Sequence, residues 1–515
     1  MRTSSRTPRG SVAPRHHRLR EALWLAGPLC AGLALRLWLA SRNAGLTMDS
    51  ATYVRMAEDL LAGVREPTAP ADPGFPALIA LASRLLPGRE LPGRAVSFLM
   101  GVVVIGLTYG LARTRLSRPW SALAAGLVAL HPLLAVYSGP IMSETTFHAL
   151  TYGTLLLVML GHLAGAGGLL GIAYAVRPEA IVLAVGSALF GRLGRRGVGI
   201  LLAAFLVATL PTLAYLRWER GAWVLSAKAF LVRPPAAKRK LEEFRVSPST
   251  ANPGQIAAPA LSSRWDPRAL AAHYLPNLRR HLANLVRAWP WPLLALSLLG
   301  IGLRGGVLLA PLLVLAGLPL VDVMFDPRFV LVVLPALAVF AADGAGWLSE
   351  RVQTMAPVAV VRRGLPAVTA GIALFGLAMS WGSNTAEALV FDDGPMPQLR
   401  AAGEWLRANG EPTSIVMDRK SYVPFYAGMR HVQLPDDDYD TIVEWARRTG
   451  VNYIVVEEYV LRAFRPQLRA LVLDPAFRAR ESRLRMVYSW REGLDSGVAI
   501  FEVVREPGGG RPGPP

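Results

Sequence analysis

Six side chains stand where a largely apolar polypeptide has least use for them. Asp49 ends "GLTMD" just after the first long apolar run, and Tyr53 follows four residues later. Glu144 sits in "YSGPIMSETTF", Arg177 and Glu179 flank a proline in "GIAYAVRPEA", and Arg328 lies in "FDPRF". A carboxylate held at a membrane boundary can serve as general base toward a group arriving from water. Guanidinium groups suit bidentate contact with phosphate. Each residue also has an ordinary structural explanation. Asp49 or Thr47 can cap a helix, and Glu144 behind a Ser143 cap can favour the positive helix end. Arg177 and Glu179 can neutralise each other, while Asp326, Pro327 and Arg328 can be a cap, a first-turn proline and a snorkelling arginine. Four charged sites at the ends of apolar runs, gathered on one membrane face, argue for a shared wet pocket for an anionic head group. On a helix starting near Ser50, Asp49, Tyr53, Ala57 and Leu60 share one face, whereas Arg55, Glu58 and Asp59 point elsewhere.

The elements that must position these residues follow from composition and hydropathy. With 52% hydrophobic residues and a mean hydropathy of +0.35, the chain reads as a polytopic α-helical membrane protein. Its net charge of +19 is carried almost wholly by arginine, since the lysines are Lys228, Lys238, Lys240 and Lys420. Many arginines flank apolar runs, a pattern that sets topology and touches anionic lipid rather than nucleic acid. The single cysteine, Cys30, excludes an intrachain disulfide.

Residues 1–20 read as a basic cytoplasmic tail before an uncleaved anchor. Residues 21–383 form the membrane part, with external loops at 42–93 and 218–288. Spanning helices are expected over 22–41, 94–113, 119–137, 144–162, 197–217, 289–303, 305–322, 328–348 and 365–383. The run 167–191 reads as a helix broken at Arg177-Pro178-Glu179, which gives about nine to eleven membrane helices in all. The break also returns the arginine-rich loops to the cytoplasm and places the C-terminal part outside. Residues 384–505 change periodicity: helix-like "QLRAAGEWLRANG" and "YDTIVEWARRTG" alternate with strand-like "TSIVM", "NYIVVEE", "LRMVYSW" and "GVAIFEVV", with "SYVPFYAG" and "HVQL" between them. That pattern implies a small extracytoplasmic α/β domain with a partly parallel sheet. Residues 506–515 read as a disordered tail.

The series "MDSATYVRMAEDLLAG", "PGFPALIALASRLLPG", "HPLLAVYSGPIMSETTFHAL", "GIAYAVRPEA" and "FDPRFVLVVLPALAVFAADG", taken in order, resembles the GT-C superfamily of integral-membrane glycosyltransferases. The branch it resembles most is that of the dolichyl-phosphate-mannose protein mannosyltransferases and aminoarabinose transferases. The resemblance implies transfer of a monosaccharide from a polyprenyl-phosphate donor to an acceptor protein, lipid or polysaccharide at the outer face of the plasma (inner) membrane. Asp49 then matches the family's catalytic acid. Glu144 would supply the second carboxylate, because Ser50 follows Asp49 where many relatives carry a second acid. Arg177 and Arg328 would bind the donor phosphate, and Tyr53 and Glu179 would contact substrate. Phe329 stands where relatives carry a tyrosine. The resemblance admits a divalent cation, but no metal-ligand spacing demands a cofactor. Two rival readings are a transporter or flippase of lipid-linked sugar and an inactive relative that binds glycan.

Overall fold

The computed structural model describes residues 14–42, 46, 49–63, 71–220, 223–227, 267–321, 327–355, 359–389, 397–435, 437–463, 465–490 and 497–505. Thr47 and Asp326, both named above as caps, most of the loop 218–288, and the tail 506–515 lie outside the described residues.

The membrane part begins with α1 (Pro14–Arg42), α2 (Ser50–Ala62), α3 (Gly74–Ala82), α4 (Leu91–Arg113), α5 (Arg118–Leu130) and α6 (Pro132–Val136). It continues through α7 (Ser143–Met159), α8 (Leu163–Val176), α9 (Ala180–Phe190), α10 (Arg195–Arg220), α11 (Pro267–Ala288), α12 (Trp291–Arg304) and α13 (Ala310–Val321). A 3-10 turn, Pro327–Val333, then leads into α14 (Leu334–Met355), followed by α15 (Ala359–Leu389). Among the described residues five helices are long and apolar enough to cross a membrane: α1, α4, α10, α14 with its 3-10 turn, and α15. A sixth is reached only if α11 and α12, bent by 106°, act as one span.

Other runs expected to span fold as shorter apolar helices, α8, α9 and α13 among them, and proline explains part of this shortening. The expected span 119–137 stops at Leu130, because Pro132 drives His131 into an extended conformation (φ −68°, ψ 126°). The α7 helix, at 17 residues, is short for a full crossing, and it is buried along almost its whole length, as α14 is. The run 289–303 is the 14-residue α12, turned sharply from α11, and α11 itself is a helix inside the stretch expected to be the loop 218–288. The run 167–191 does break at Arg177, whose extended backbone (φ −152°, ψ 129°) separates α8 from α9.

Broken helices leave carbonyls that apolar surroundings cannot solvate, and the bundle satisfies them with side chains. Ser380 Oγ and His131 Nε2 both donate to Ala288 O (2.7 and 2.9 Å) at the bend between α11 and α12. Asn384 donates to Arg287 O (3.1 Å), and Trp381 Nε1 to Leu130 O (2.8 Å) at the end of α5. Arg36, fully buried in α1, gives Nη1 to Ala129 O (2.8 Å) and Nε to Ser138 Oγ (3.2 Å). Small residues let α12 and α14 approach closely. A Cβ added at Gly344 would lie 2.1 Å from Leu296 O, and one at Gly300 2.1 Å from Phe340 O.

After α16 (Pro397–Asn409) come β1 (Ile415–Asp418), α17 (Tyr422–Ala427), β2 (Arg430–Gln433), α18 (Tyr439–Arg448) and β3 (Tyr453–Glu457). Three short helices, α19 (Glu458–Ala463), α20 (Arg469–Leu473) and α21 (Pro475–Arg480), precede β4 (Leu484–Trp490) and β5 (Val498–Val503). "SYVPFYAG" is the helix α17 with its left-handed terminal Gly428 (φ 73°). The sheet order is β2-β1-β3-β5-β4, with β1 parallel to β2 and β3, and β5 antiparallel to β3 and β4. One face of the sheet, through Met417, Ile454, Val456 and Phe501, packs under α18 and Leu471 of α20. The opposite face, through Val416, Val455 and Ile500, joins α16 and α17 in a core continuous with the membrane helices.

Candidate active site

Asp49 occupies the N-cap position of α2, and its backbone carbonyl accepts from Tyr53 N (3.0 Å). Its side chain makes no capping bond to the helix. The carboxylate instead accepts from Arg328 Nη1 at Oδ2 (3.1 Å). Arg328 is fixed by the 3-10 turn before α14, and its Nη1 lies 3.8 Å from Glu144 Oε1. Glu144, in the first turn of α7, accepts from Arg177 Nη1 at the same oxygen (2.9 Å). Arg177, at the break between α8 and α9, donates through Nη2 and Nε to Glu179 Oε1 (2.7 and 3.1 Å). Asp49, Arg328, Glu144, Arg177 and Glu179 therefore form one unbroken series of alternating charge drawn from four separate stretches of sequence.

Exposure separates the two acids assigned to chemistry. The Asp49 side chain is 30% exposed and the Glu144 side chain 5%. Asp49 can thus meet a group arriving from water, whereas Glu144 holds both guanidiniums from inside. Glu144 Oε2 is buried and makes no hydrogen bond among the described residues.

Aromatic rings fix the guanidiniums from their flat sides. Arg177 Cζ lies 5.9 Å from the Phe329 ring centroid and 5.8 Å from that of Phe147, and Arg328 Cζ lies 5.2 Å from Phe329. His281 of α11 meets the edge of Phe329 at 6.5 Å. The sequence shows at Phe329 only the absence of a hydroxyl. Its contact with both arginines, and those of Phe147 and His281, carry no signal in a chain rich in apolar helices.

Tyr53 sits 4% exposed between α2 and α7. Its hydroxyl is 3.1 Å from Ser143 Oγ, and its ring meets Phe75 edge-on at 5.0 Å. With Ser50 Oγ donating to Ile141 O (3.2 Å), it ties the start of α2 to the turn that presents Glu144. Among the described residues no group of three or more His, Cys, Asp or Glu is placed to hold a metal ion.

No family model matches the sequence, and no curated protein matches it. Solved structures do match. ArnT from Cupriavidus metallidurans in the apo state superposes with a TM-score of 0.60 at 13% identity, over 93% of this chain and 98% of that one. The same protein bound to undecaprenyl phosphate gives 0.56 at 13% identity, over 94% and 99%. The apo oligosaccharyltransferase of Archaeoglobus fulgidus gives 0.56 at 12% identity, over 85% of this chain and 70% of that chain. These are GT-C glycosyltransferases. The chain has the GT-C fold. Within this fold, α2 runs from the charged series at its N-terminus to the turn between α17 and β2, where Arg55 donates to Met429 O.

Proposed function

We propose that this protein is a membrane glycosyltransferase that moves a monosaccharide from a polyprenyl-phosphate donor to an extracytoplasmic acceptor, with Asp49 as general base. The observation that carries this reading is the series Asp49–Arg328–Glu144–Arg177, in which a water-accessible carboxylate is joined to two guanidiniums held by a buried acid. Lipid phosphates accompany two proteins of the same fold: ArnT bound to undecaprenyl phosphate, and the archaeal oligosaccharyltransferase AglB in complex with an inhibitory peptide and a dolichol-phosphate.

In this mechanism an acceptor hydroxyl loses its proton to an Asp49 oxygen as its own oxygen attacks the anomeric carbon. The bond from that carbon to the phosphate oxygen breaks, and its electron pair leaves with the lipid phosphate. Arg328 and Arg177 stabilise the charge that gathers there, an effect that grows in a site shielded from water. Attack opposite the leaving group inverts the anomeric configuration. Glu144 keeps both guanidiniums aimed, and Glu179 and Tyr53 line the approach to them. The donor enters from the bilayer and the acceptor from the aqueous side of the plasma membrane.

Membranes containing the protein are incubated with a panel of polyprenyl-phosphate sugars, and acceptors are searched by mass spectrometry for a gain of one sugar. Asp49→Asn is expected to abolish that gain while lipid-phosphate binding persists. Sugar-lipid that crosses the membrane with no acceptor gaining mass would replace transferase with transporter. Unchanged turnover in Asp49→Asn would remove Asp49 as base.

A further inference from the structure

The α2 helix is held on two sides, and only one of them belongs to the charged series. Toward α7 it is held by Ser50 and Tyr53. On the other side Arg55, 9% exposed, donates through Nη2 to Met429 O (2.7 Å), in the turn between α17 and β2. A second tie lies one turn further along. Arg89, ahead of α4, donates to both carboxylate oxygens of Glu58 (2.5 and 2.7 Å) and to Phe425 O (2.5 Å), with its guanidinium 3.9 Å from the Phe425 ring centroid. Phe425 O lies in the last turn of α17 and Met429 O in the turn that follows it, so both ties reach the same end of that helix.

A buried guanidinium is costly unless it is paired, so Arg55 is not placed by accident of packing. Its charge is opposed by the nearby Arg89 and favoured by Glu58 and Asp59 of its own helix. We propose that Arg55, seconded by Arg89, is a positioning residue through which the C-terminal α/β domain fixes the place of Asp49. This rests on the reading of Asp49 as general base. Arg55 lies six residues beyond Asp49, an arm of about 9 Å along the helix. With the Arg55 tie lost, α2 can rock about its α7 contacts at Ser50 and Tyr53, and a rock of about 10° shifts Asp49 by up to about 1 Å; displacements on the order of 1 Å cost on the order of a hundredfold in rate. The α/β domain is then the rear wall of the catalytic helix rather than an appendage.

The test uses the full-length protein in detergent or nanodiscs with Arg55→Met, Arg55→Lys and Arg89→Gln. Arg55→Met is expected to lower kcat roughly ten- to hundredfold with the donor KM and polyprenyl-phosphate Kd within about twofold of wild type. Arg55→Lys, which retains charge and a donor, is expected to recover most of kcat. Hydrogen–deuterium exchange is the readout that does not depend on transfer: amides of residues 50–54 are expected to exchange at least about tenfold faster in Arg55→Met, with α7 unchanged. Wild-type kcat and wild-type exchange at 50–54 in a folded Arg55→Met protein would overturn the proposal. If that variant does not fold, Arg89→Gln decides by the same measurements, since the Arg89 side chain is 34% exposed. Should the native protein transfer no sugar, exchange at 50–54 still decides whether the clamp exists, and unchanged exchange would overturn it.

Discussion

Glu144→Gln removes the charge at the centre of the series and keeps its shape. Glu144 is 4% exposed, receives Arg177 Nη1 at 2.9 Å and lies 3.8 Å from Arg328 Nη1. Removing one partner from a buried ion pair costs about 3–5 kcal/mol, because the other charge stays buried without compensation. Here the loss is softened on both sides. Arg177 retains Glu179 at 2.7 Å, Arg328 retains Asp49 at 3.1 Å, and the glutamine carbonyl still accepts. The expected cost is therefore about 2–3 kcal/mol. Glu179→Gln touches a side chain 25% exposed that receives Arg177, and is expected to cost about 1 kcal/mol.

The two changes act on the same guanidinium, so they cannot add. In the double variant Arg177, only 15% exposed, has no carboxylate left among these partners, and the loss should exceed the sum of the single losses by about 1–2 kcal/mol. Denaturant titrations in detergent micelles, followed by tryptophan fluorescence on the four proteins of the cycle, measure this directly. Additivity within about 0.5 kcal/mol, or a Glu144→Gln cost no greater than that of Glu179→Gln, would refute the view that Glu144 is the buried keystone.

Tyr152→Phe removes a fully buried hydroxyl that donates to Val332 O (2.6 Å) and accepts from Ala336 N (3.0 Å), and should cost about 1–3 kcal/mol in the same titrations. Gly344→Ala puts a Cβ 2.1 Å from Leu296 O, so α12 and α14 must part, and expression and melting temperature are expected to fall together. In the C-terminal domain, burial pushes the Glu457 carboxyl up to about 7, with Arg419 and Lys420 opposing the rise, and burial raises neighbouring Asp418 as well. The folded chain then keeps a proton that the unfolded chain releases above the ordinary glutamate value of 4.5, so stability is greatest below that value and is lost as pH rises through about 7. Melting curves between about pH 4 and pH 8 should show this decline, amounting to roughly 3 kcal/mol at most, and Glu457→Gln should flatten it.

Some features were open to sequence reasoning because they obey local rules. Proline at 178 cannot continue α8, and the charged residues on either side mark the break. Short runs rich in β-branched and aromatic residues, such as "NYIVVEE" and "GVAIFEVV", are the paired strands β3 and β5. Features set by tertiary contact were not open to it. Proline at 132 lies between His131 and Leu133 with no charged pair to mark a break, yet it ends a run read as one span. The carbonyl it frees at Leu130 is satisfied from Trp381, some 250 residues away, by a donor that no pattern around 130 announces. "SYVPFYAG" shows no helical period, and α17 forms because its apolar side chains all face the core shared with the membrane helices. Phe329 offers no sequence clue to its position beside two guanidiniums.

The position of Asp49 shows why the site needs both parts of the chain. A carboxylate that capped its own helix would be held by neighbouring amides and would need no partner from afar. Asp49 has given up that local bond for one with Arg328, so its location depends on α2 lying correctly between α7 on one side and α17 on the other. The sequence between Ser50 and Arg55 encodes both attachments within two helical turns: Ser50 and Tyr53 for the membrane bundle, Arg55 for the α/β domain. Arg55, five residues beyond Ser50 and two beyond Tyr53, lies on the opposite side of a helix of 3.6 residues per turn from those two residues that grip α7. That opposition lets one short helix face two bodies at once, and places the exposed acid at the end of the lever they jointly hold.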